Sequence, residues 1–357
     1  MSIQESYMLQ AIDLAKKGRG RVAPNPLVGC VIVKDQKIIG EGYHRKFGES
    51  HAEVDAINNC TESPHDADLY VTLEPCSIFS KTPPCVDYII SNSIKNVFIG
   101  SKDLNPKING EGIEKLKIAG VNVYEGILEN KCYELNKGFF NWIKYKKPWV
   151  IVKLAQSKNG YIGFDNASQV WITGKDTNNF THKLRSKVDA IFVGRRTAQI
   201  DNPRLTVRNM LGSNPIRVIA DTNRKLPLNL TLFNDNAAKN IVLCSDKNFE
   251  DNKVSLCKFL TVKEGNNGLD EHAMLDVLGQ QGITTLLLEG GRKLVKSFME
   301  QDLIDEIYLY TSKNNLDNGK LLNPVDINDE IWTIINEKDF NNDHLVIARK
   351  KELCFQE

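Results

Sequence analysis

One histidine, one carboxylate and two cysteines, set in three separate stretches, constrain this chain more than any periodicity in it. They are His51-Ala52-Glu53, Pro75-Cys76 and, after eight intervening residues, Cys85. One imidazole and two thiolates suit a tetrahedral zinc ion whose fourth position stays open to water, and a carboxylate two residues past the histidine can move that water's protons. For such a site to form, three segments must end at one point. The spacer returns the second thiolate over a loop and closes as Thr82-Pro83-Pro84-Cys85, which suits a helix start because proline is accommodated in a first turn. A helix amino end in turn favours thiolate over thiol. Taken singly, each cysteine reads better as a small buried hydrophobe, and His51 as a core histidine. Together, in this order and each beside the end of a predicted element, they read as ligands for one ion.

Composition narrows what such a site can serve. A chain of 357 residues exceeds one ordinary domain and suggests about two, each with room for a core. Lys and Arg total 46 against 45 for Asp and Glu, so there is no global field to draw in a polyanion, and a small-molecule substrate fits better than nucleic acid. The eight cysteines are too sparse for a disulfide scaffold, and the polar residues after Met1 form no signal core. No run approaches the roughly 18 apolar residues of a membrane span. A reducing cytoplasm and no membrane partner are therefore expected.

Along the chain, apolar spacing predicts a helix over 5–17, a hairpin of strands 28–33 and 38–43, a helix over 51–60, a strand over 69–73 and a helix over 85–91. A strand over 96–100, a helix over 112–119, a strand over 121–124 and a helix over 128–145 follow. Lys144 to Pro148 reads as a domain edge, dividing the chain into 1–146 and 147–357. Beyond it come strands 149–155, 190–194, 216–220, 241–244, 285–288 and a final strand 306–310, with helices 176–186, 272–280 and 292–301. Such alternation predicts an α/β protein with mostly parallel sheets and the metal at helix amino ends. The Asn- and Lys-rich stretch 223–270 carries the weakest pattern. Pro24-Asn25-Pro26 reads either as a breaker or as a turn presenting the Asn25 amide to a heterocycle.

A second site is suggested where strand 285–288 runs into Glu289-Gly290-Gly291 and a helix. Glycines there admit a phosphate to the helix N–H groups, although a lone Gly-Gly is also an ordinary turn. Gly194-Arg195-Arg196-Thr197 follows a strand in the same way. Arg185 and Arg208 could fork onto a second phosphate, or could be solvated surface charges. Trp171 reads as core by default, or as the wall of a nicotinamide pocket. The second half has no G-x-G-x-x-G, which argues against a Rossmann cofactor site.

His-x-Glu followed by Pro-Cys and a further cysteine is the recognised signature of zinc nucleobase deaminases, here with the cysteines further apart. The whole chain resembles the bifunctional riboflavin-biosynthesis deaminase/reductase family. The resemblance is carried by Pro24-Asn25-Pro26 with Val28-Gly29, Gly42-Tyr43-His44, His51-Ala52-Glu53, Leu73-Glu74-Pro75-Cys76, Thr82-Pro83-Pro84-Cys85, Asn105-Pro106, Asn136-Lys137-Gly138-Phe139, Trp171-Ile172-Thr173 and Glu289-Gly290-Gly291. It implies a cytidine-deaminase-like amino domain with one zinc and a dihydrofolate-reductase-like carboxyl domain using NADPH. The substrate would be a pyrimidine ribosylamine phosphate, deaminated and then reduced at its ribosyl group.

By position, the resemblance makes His51, Cys76 and Cys85 the zinc ligands and Glu53 the proton shuttle. It assigns Asn25, His44, Lys81, Gln169, Arg185, Leu205, Arg208 and Glu289 to substrate. To NADPH it assigns Ala155, Trp171, Thr197, Asp201, Thr222 and the run Gly291, Arg292, Lys293, Leu294, Val295, Lys296 and Ser297. The chain departs from the family pattern at Ser77 to Lys81, which lacks the usual histidine and glycine, and before Trp171, where either Ser168 or Gln169 is the contact. A homo-oligomer, dimer or tetramer, is expected. Two other readings compete: a nucleic-acid base deaminase with an appended nucleotide-binding module, and a structural zinc clamp completed by Cys60 or His44.

Overall fold

A computed structural model of the chain describes all residues except 80–82, 107, 166–169, 250–253, 255, 267, 329 and 352–357. The chain divides into two compact units, Met1–Lys146 and Lys147–Glu357. Among the described residues no helix is long and apolar enough to cross a membrane.

The first unit carries strands β1 (Gly29–Lys34), β2 (Lys37–Tyr43), β3 (Asp68–Leu73), β4 (Asn96–Ser101) and β5 (Asn122–Tyr124). Its helices are α1 (Ile3–Ala15), α2 (Ala52–Asn58), α3 (Cys85–Ser91), α4 (Glu111–Ile118) and α5 (Glu129–Tyr145). A capping box starts α1: the Ser2 hydroxyl accepts from the Glu5 N–H and the Glu5 carboxylate accepts from the Ser2 N–H. The sheet runs β2-β1-β3-β4-β5, with β1 antiparallel to both neighbours and β3, β4 and β5 parallel. Strand side chains alternate between faces. Cys30, Ile32, Leu69, Val71, Val97 and Ile99 pack with α2, α3 and α4, whereas Val31, Val33, Tyr70 and Phe98 pack with α1 and with Cys132 of α5. The helices that carry the metal-site motif thus share one face of the sheet.

The second unit contains β6 (Trp149–Gln156), β7 (Tyr161–Gly163), α6 (Lys175–Arg185), β8 (Ala190–Gly194), α7 (Arg195–Asp201), β9 (Ile216–Ala220), α8 (Thr231–Asn234), β10 (Asn240–Ser245) and β11 (Cys257–Val262). It continues with β12 (Glu264–Gly265), β13 (Gly268–Leu269), α9 (Glu271–Gln280), β14 (Thr285–Glu289), α10 (Arg292–Glu300), β15 (Glu306–Ser312), β16 (Leu321–Leu322), β17 (Trp332–Asp339) and β18 (Asp343–Lys350). Nine strands form one sheet in the order β11-β10-β9-β8-β14-β6-β15-β18-β17. Pairing is parallel from β11 to β15 and antiparallel for the last two. One face packs with α9 and α10 through Met274, Leu278, Val295 and Phe298; the other packs with α6, α7 and α8 through Leu184, Ala198 and Phe233.

The expected final strand at 306–310 is not the last. A hairpin of β17 and β18 closes the sheet, and β17 exposes every residue after Trp332, so it lacks the alternation that marks a half-buried strand. Helix α7 also escapes periodicity, because only Ala198 of its seven residues is buried.

Candidate functional site

In the first unit the three predicted ligands converge. His51 is the N-cap of α2, Cys85 is the first residue of α3, and Cys76 lies three residues beyond β3. Their ligand atoms all lie within 4.8 Å of one another. His51 Nδ1 stands 3.2 Å from Cys85 Sγ and 3.5 Å from Cys76 Sγ, and the Cys85 backbone N–H donates to Cys76 Sγ at 3.3 Å. The hydrogen bond from the Cys85 thiol, with help from His51 and that N–H, holds the Cys76 thiol far below the usual range, to about 4. The same bond pushes the Cys85 thiol upward, since it keeps the shared proton. Two sulfurs so close cannot both ionise without a cation between them, so the donor set fits zinc chemistry.

Glu53, in the first turn of α2, is only 3% exposed, and burial pushes its carboxyl up to about 7. A carboxyl poised there can accept and return a proton near neutral pH. His44 is buried and engaged at both ring nitrogens: Nδ1 lies 3.0 Å from the Ser50 carbonyl and Nε2 lies 3.1 Å from the Asn25 amide. Cys60 Sγ points to the Ala56 carbonyl at the far end of α2. Neither belongs to the ligand cluster found among the described residues. The structural clamp with four protein ligands therefore loses both of its proposed fourth partners. Asn136, part of the Asn136-Lys137-Gly138-Phe139 motif, has a structural task that its motif does not announce. Its side chain accepts from the Leu27 N–H at 2.8 Å and donates to the Leu27 carbonyl at 2.9 Å, which pins the loop that presents Asn25.

The second site is distributed over strand ends. Ala155 lies on β6, Thr197 just after β8, Thr222 just after β9 and Gly291 just after β14. Those four strands are neighbours in the sheet, so all four residues gather along the carboxyl edge where open α/β sheets bind ligands. Gly290 and Gly291 have φ of +83° and +81°, and a Cβ on Gly291 would come within 3.1 Å of Thr197 Oγ1. The amino ends of α7 and α10 thus approach each other with little side-chain bulk between them, a cradle that suits a diphosphate. Further along α10, Val295 is in the core and Lys296 pairs with Glu300 at 3.3 Å. Arg292 Nε donates to the Leu322 carbonyl, Lys293 is exposed, and Leu294 and Ser297 are half-buried. Asp201 ends α7, away from the cradle. Trp171 is 69% exposed, so it is no core residue.

Arg185, Leu205, Arg208 and Glu289 are also brought together. Arg185 forks onto Glu289, Nε to Oε1 at 2.7 Å and Nη2 to Oε2 at 2.6 Å, and its Nη1 donates to the Thr206 carbonyl. The phosphate fork expected of Arg185 is therefore committed to a carboxylate. Leu205 is buried with φ of +50°, and the Arg208 backbone N–H donates to His182 Nδ1. Burial and Arg185 lower the His182 ring's basicity. Lys153, missed in the sequence, sits opposite Glu289 in the β14–β6 register, and burial depresses its ammonium below the usual lysine range. An alternating strand reads it as surface charge, and only the neighbouring strand makes it a site residue. Lys81, Ser168 and Gln169 lie outside the described residues.

Comparison with known proteins accounts for both halves. Residues 1–101 match the cytidine and deoxycytidylate deaminase zinc-binding region, and residues 148–312 match the RibD C-terminal domain. Over 308 residues the chain is 40% identical to the riboflavin biosynthesis protein RibD of Actinobacillus pleuropneumoniae, spanning 85% of this chain and 82% of that one. The chain belongs to the RibD family. The RibD of Aquifex aeolicus is 38% identical over 320 residues, 89% of each chain. A solved RibD from Acinetobacter baumannii superposes with a TM-score of 0.86 at 30% identity, covering 98% of this chain and 99% of that one. So does the diaminohydroxyphosphoribosylaminopyrimidine deaminase/5-amino-6-(5-phosphoribosylamino)uracil reductase of Thermotoga maritima, at 0.85 and 34% with the same coverage. As a RibD-family chain, this is a bifunctional enzyme of riboflavin biosynthesis, with a cytidine-deaminase-like zinc-binding half and a dihydrofolate-reductase-like, NADPH-dependent half. The appended nucleotide-binding module of the nucleic-acid reading is thus a reductase domain.

Proposed function

We propose that residues 1–146 deaminate a pyrimidine ribosylamine 5'-phosphate and that residues 147–357 then reduce the deaminated product. In the first half the amino group at ring position 2 is replaced by oxygen and leaves as ammonia; in the second the ribosyl group becomes ribityl. The observation that carries this reading is the three-atom ligand cluster with buried Glu53 in the first turn of the helix that His51 caps. His51, Cys76 and Cys85 would hold the zinc, which when bound supplies the Lewis acidity that makes water nucleophilic at neutral pH. Glu53 takes one proton from the attacking water and delivers it to the departing nitrogen, so the carboxylate ends the cycle as it began. Asn25, steadied by His44 and by the Asn136 clamp on Leu27, presents its amide to the ring.

In the second half the glycine cradle with Thr197, Thr222 and Ala155 would hold NADPH, which supplies the hydride. Trp171 would flank the nicotinamide. Leu205 and Arg208, beside the Arg185–Glu289 pair, hold the substrate's polar tail, with Lys153, opposite Glu289, as an ammonium able to give the proton that the reduced sugar oxygen needs. The cysteines among the described residues are all free thiols, which suits a reducing cytoplasm, and a dimer or tetramer is the expected assembly. The test is a coupled assay of the purified chain on the pyrimidine substrate, following ammonia and nicotinamide absorbance together, with metal analysis of the same sample. Ammonia without NADPH oxidation, or turnover by a chain free of zinc, would overturn the scheme.

A further inference from the structure

Glu74 stands two residues before Cys76, and neither half-reaction has used it. Its side chain is 4% exposed, yet it carries a full set of donors. The Gly110 N–H reaches its two oxygens at 3.0 and 3.1 Å, the Gly112 N–H reaches Oε1 at 3.1 Å, and the N–H groups of Asp103 and Ile113 complete the ring at 3.3 and 3.4 Å. Three of these four residues lie at the amino end of α4, where free N–H groups and the helix dipole favour a carboxylate.

The other side of Cys76 is tied to the same helix. Ser77 is buried, its hydroxyl donates to Glu111 Oε2 at 3.3 Å, and its carbonyl accepts from Lys115 Nζ at 2.9 Å. Between these ties the Pro75 carbonyl lies so close to Gly112 that a Cβ there would stand 2.2 Å from the oxygen. No side chain fits that gap without moving the Pro75 peptide, and Cys76 with it. Yet α4 begins at Glu111, beyond residue 101 where the match to the zinc-binding region ends.

We propose that the first two turns of α4 hold the Glu74–Ser77 segment in the geometry that aims Cys76 Sγ at the metal, with Glu74 and Gly112 as positioning residues. The proposal rests on the reading of Cys76 as a ligand. Groups behind a metal's ligands set its affinity because they fix ligand direction before the ion arrives, and their loss typically costs about 10- to 100-fold.

The experiment uses the full zinc-loaded chain and its variants Glu74→Gln, Gly112→Ala, Lys115→Met and Cys76→Ser. Zinc release to a chelating dye is followed at a temperature where far-ultraviolet dichroism shows each variant folded, and the visible spectrum is recorded after cobalt replacement. Glu74→Gln and Gly112→Ala are expected to release zinc about 10-fold or more faster and to shift the cobalt bands. A fold that is merely less stable would leave those bands in place. Lys115→Met, a change on the solvent side of the helix, should give a smaller acceleration and serves if the two buried variants do not fold. If Cys76→Ser loses zinc while Glu74→Gln and Gly112→Ala, or Lys115→Met in their stead, keep wild-type release and spectrum, the positioning role is overturned and the ligand reading stands. If Cys76→Ser keeps its zinc, the ligand reading itself falls, and this proposal with it.

Discussion

The two halves of this enzyme build their sites from opposite materials. In the first, side chains of restricted type meet at one point: an imidazole, two sulfurs and a carboxyl, carried by two helix starts and a strand exit. In the second, the gathering is mostly backbone: strand ends, glycines and helix N–H groups along one sheet edge, with the Arg185–Glu289 fork beside them. A metal selects ligands by element and charge, so few residue types will serve. A phosphate cradle is built from amides that every residue owns, so side-chain identity is left almost free.

That contrast can be broken experimentally, most sharply at Glu53. Glu53→Gln is expected to retain one zinc per chain while deamination falls about 10²- to 10⁴-fold, the worth of a positioned acid-base group. NADPH oxidation with already deaminated substrate should be unchanged in the same preparation. Should deamination persist, the point-like view of the first site is wrong.

A smaller effect is expected from Glu289→Gln, which leaves the largely buried Arg185 guanidinium without its partner. Removing one member of such a pair costs about 3 kcal/mol, discounted somewhat because both groups retain slight exposure. Unfolding of the second unit should move to lower denaturant and the reductase KM should rise, with ammonia release intact. An unchanged denaturation profile would mean that the fork adds little to its unit.

The first unit also carries a pH signature. Asp103 is 4% exposed, and burial pushes its carboxyl up to about 6. A carboxyl more basic when folded adds stability that is fully present below its unfolded pKa near 4 and is lost as pH rises through about 6. The loss across that window should be on the order of 3 kcal/mol. Asp103→Asn should flatten it in equilibrium unfolding measured from pH 4 to 7, and a slope that survives the substitution would assign it elsewhere.

The smallest effect concerns the hairpin that closes the second sheet. Asp343, at the start of β18, accepts from the Gly174 N–H at 2.8 Å and the Thr177 hydroxyl at 2.5 Å, so it caps the helix that bears Arg185. Thr177→Val removes one of those two hydrogen bonds to the carboxylate and should cost about 1.5 kcal/mol, with a modest rise in reductase KM. Hydrogen exchange along α6 would show whether its first turn frays.

The amino-acid order was enough to announce that His51, Cys76 and Cys85 converge beside Glu53, and to announce both alternating patterns and the Gly-Gly turn, because each needs a particular element, period or backbone freedom at a particular place. It was not enough for Lys153, whose meaning comes from facing Glu289 across a parallel pair more than a hundred residues apart in the chain. Nor was it enough for the fork of Arg185, the terminal hairpin with its exposed edge strand, or Glu74, three of whose four partners lie at the start of a helix that begins 37 residues later. Short-range order can specify what a side chain is able to do. Which distant carboxylate neutralises it, and which helix end fills its remaining valence, follows from burial, because unpaired polar groups removed from water must find partners wherever packing places them.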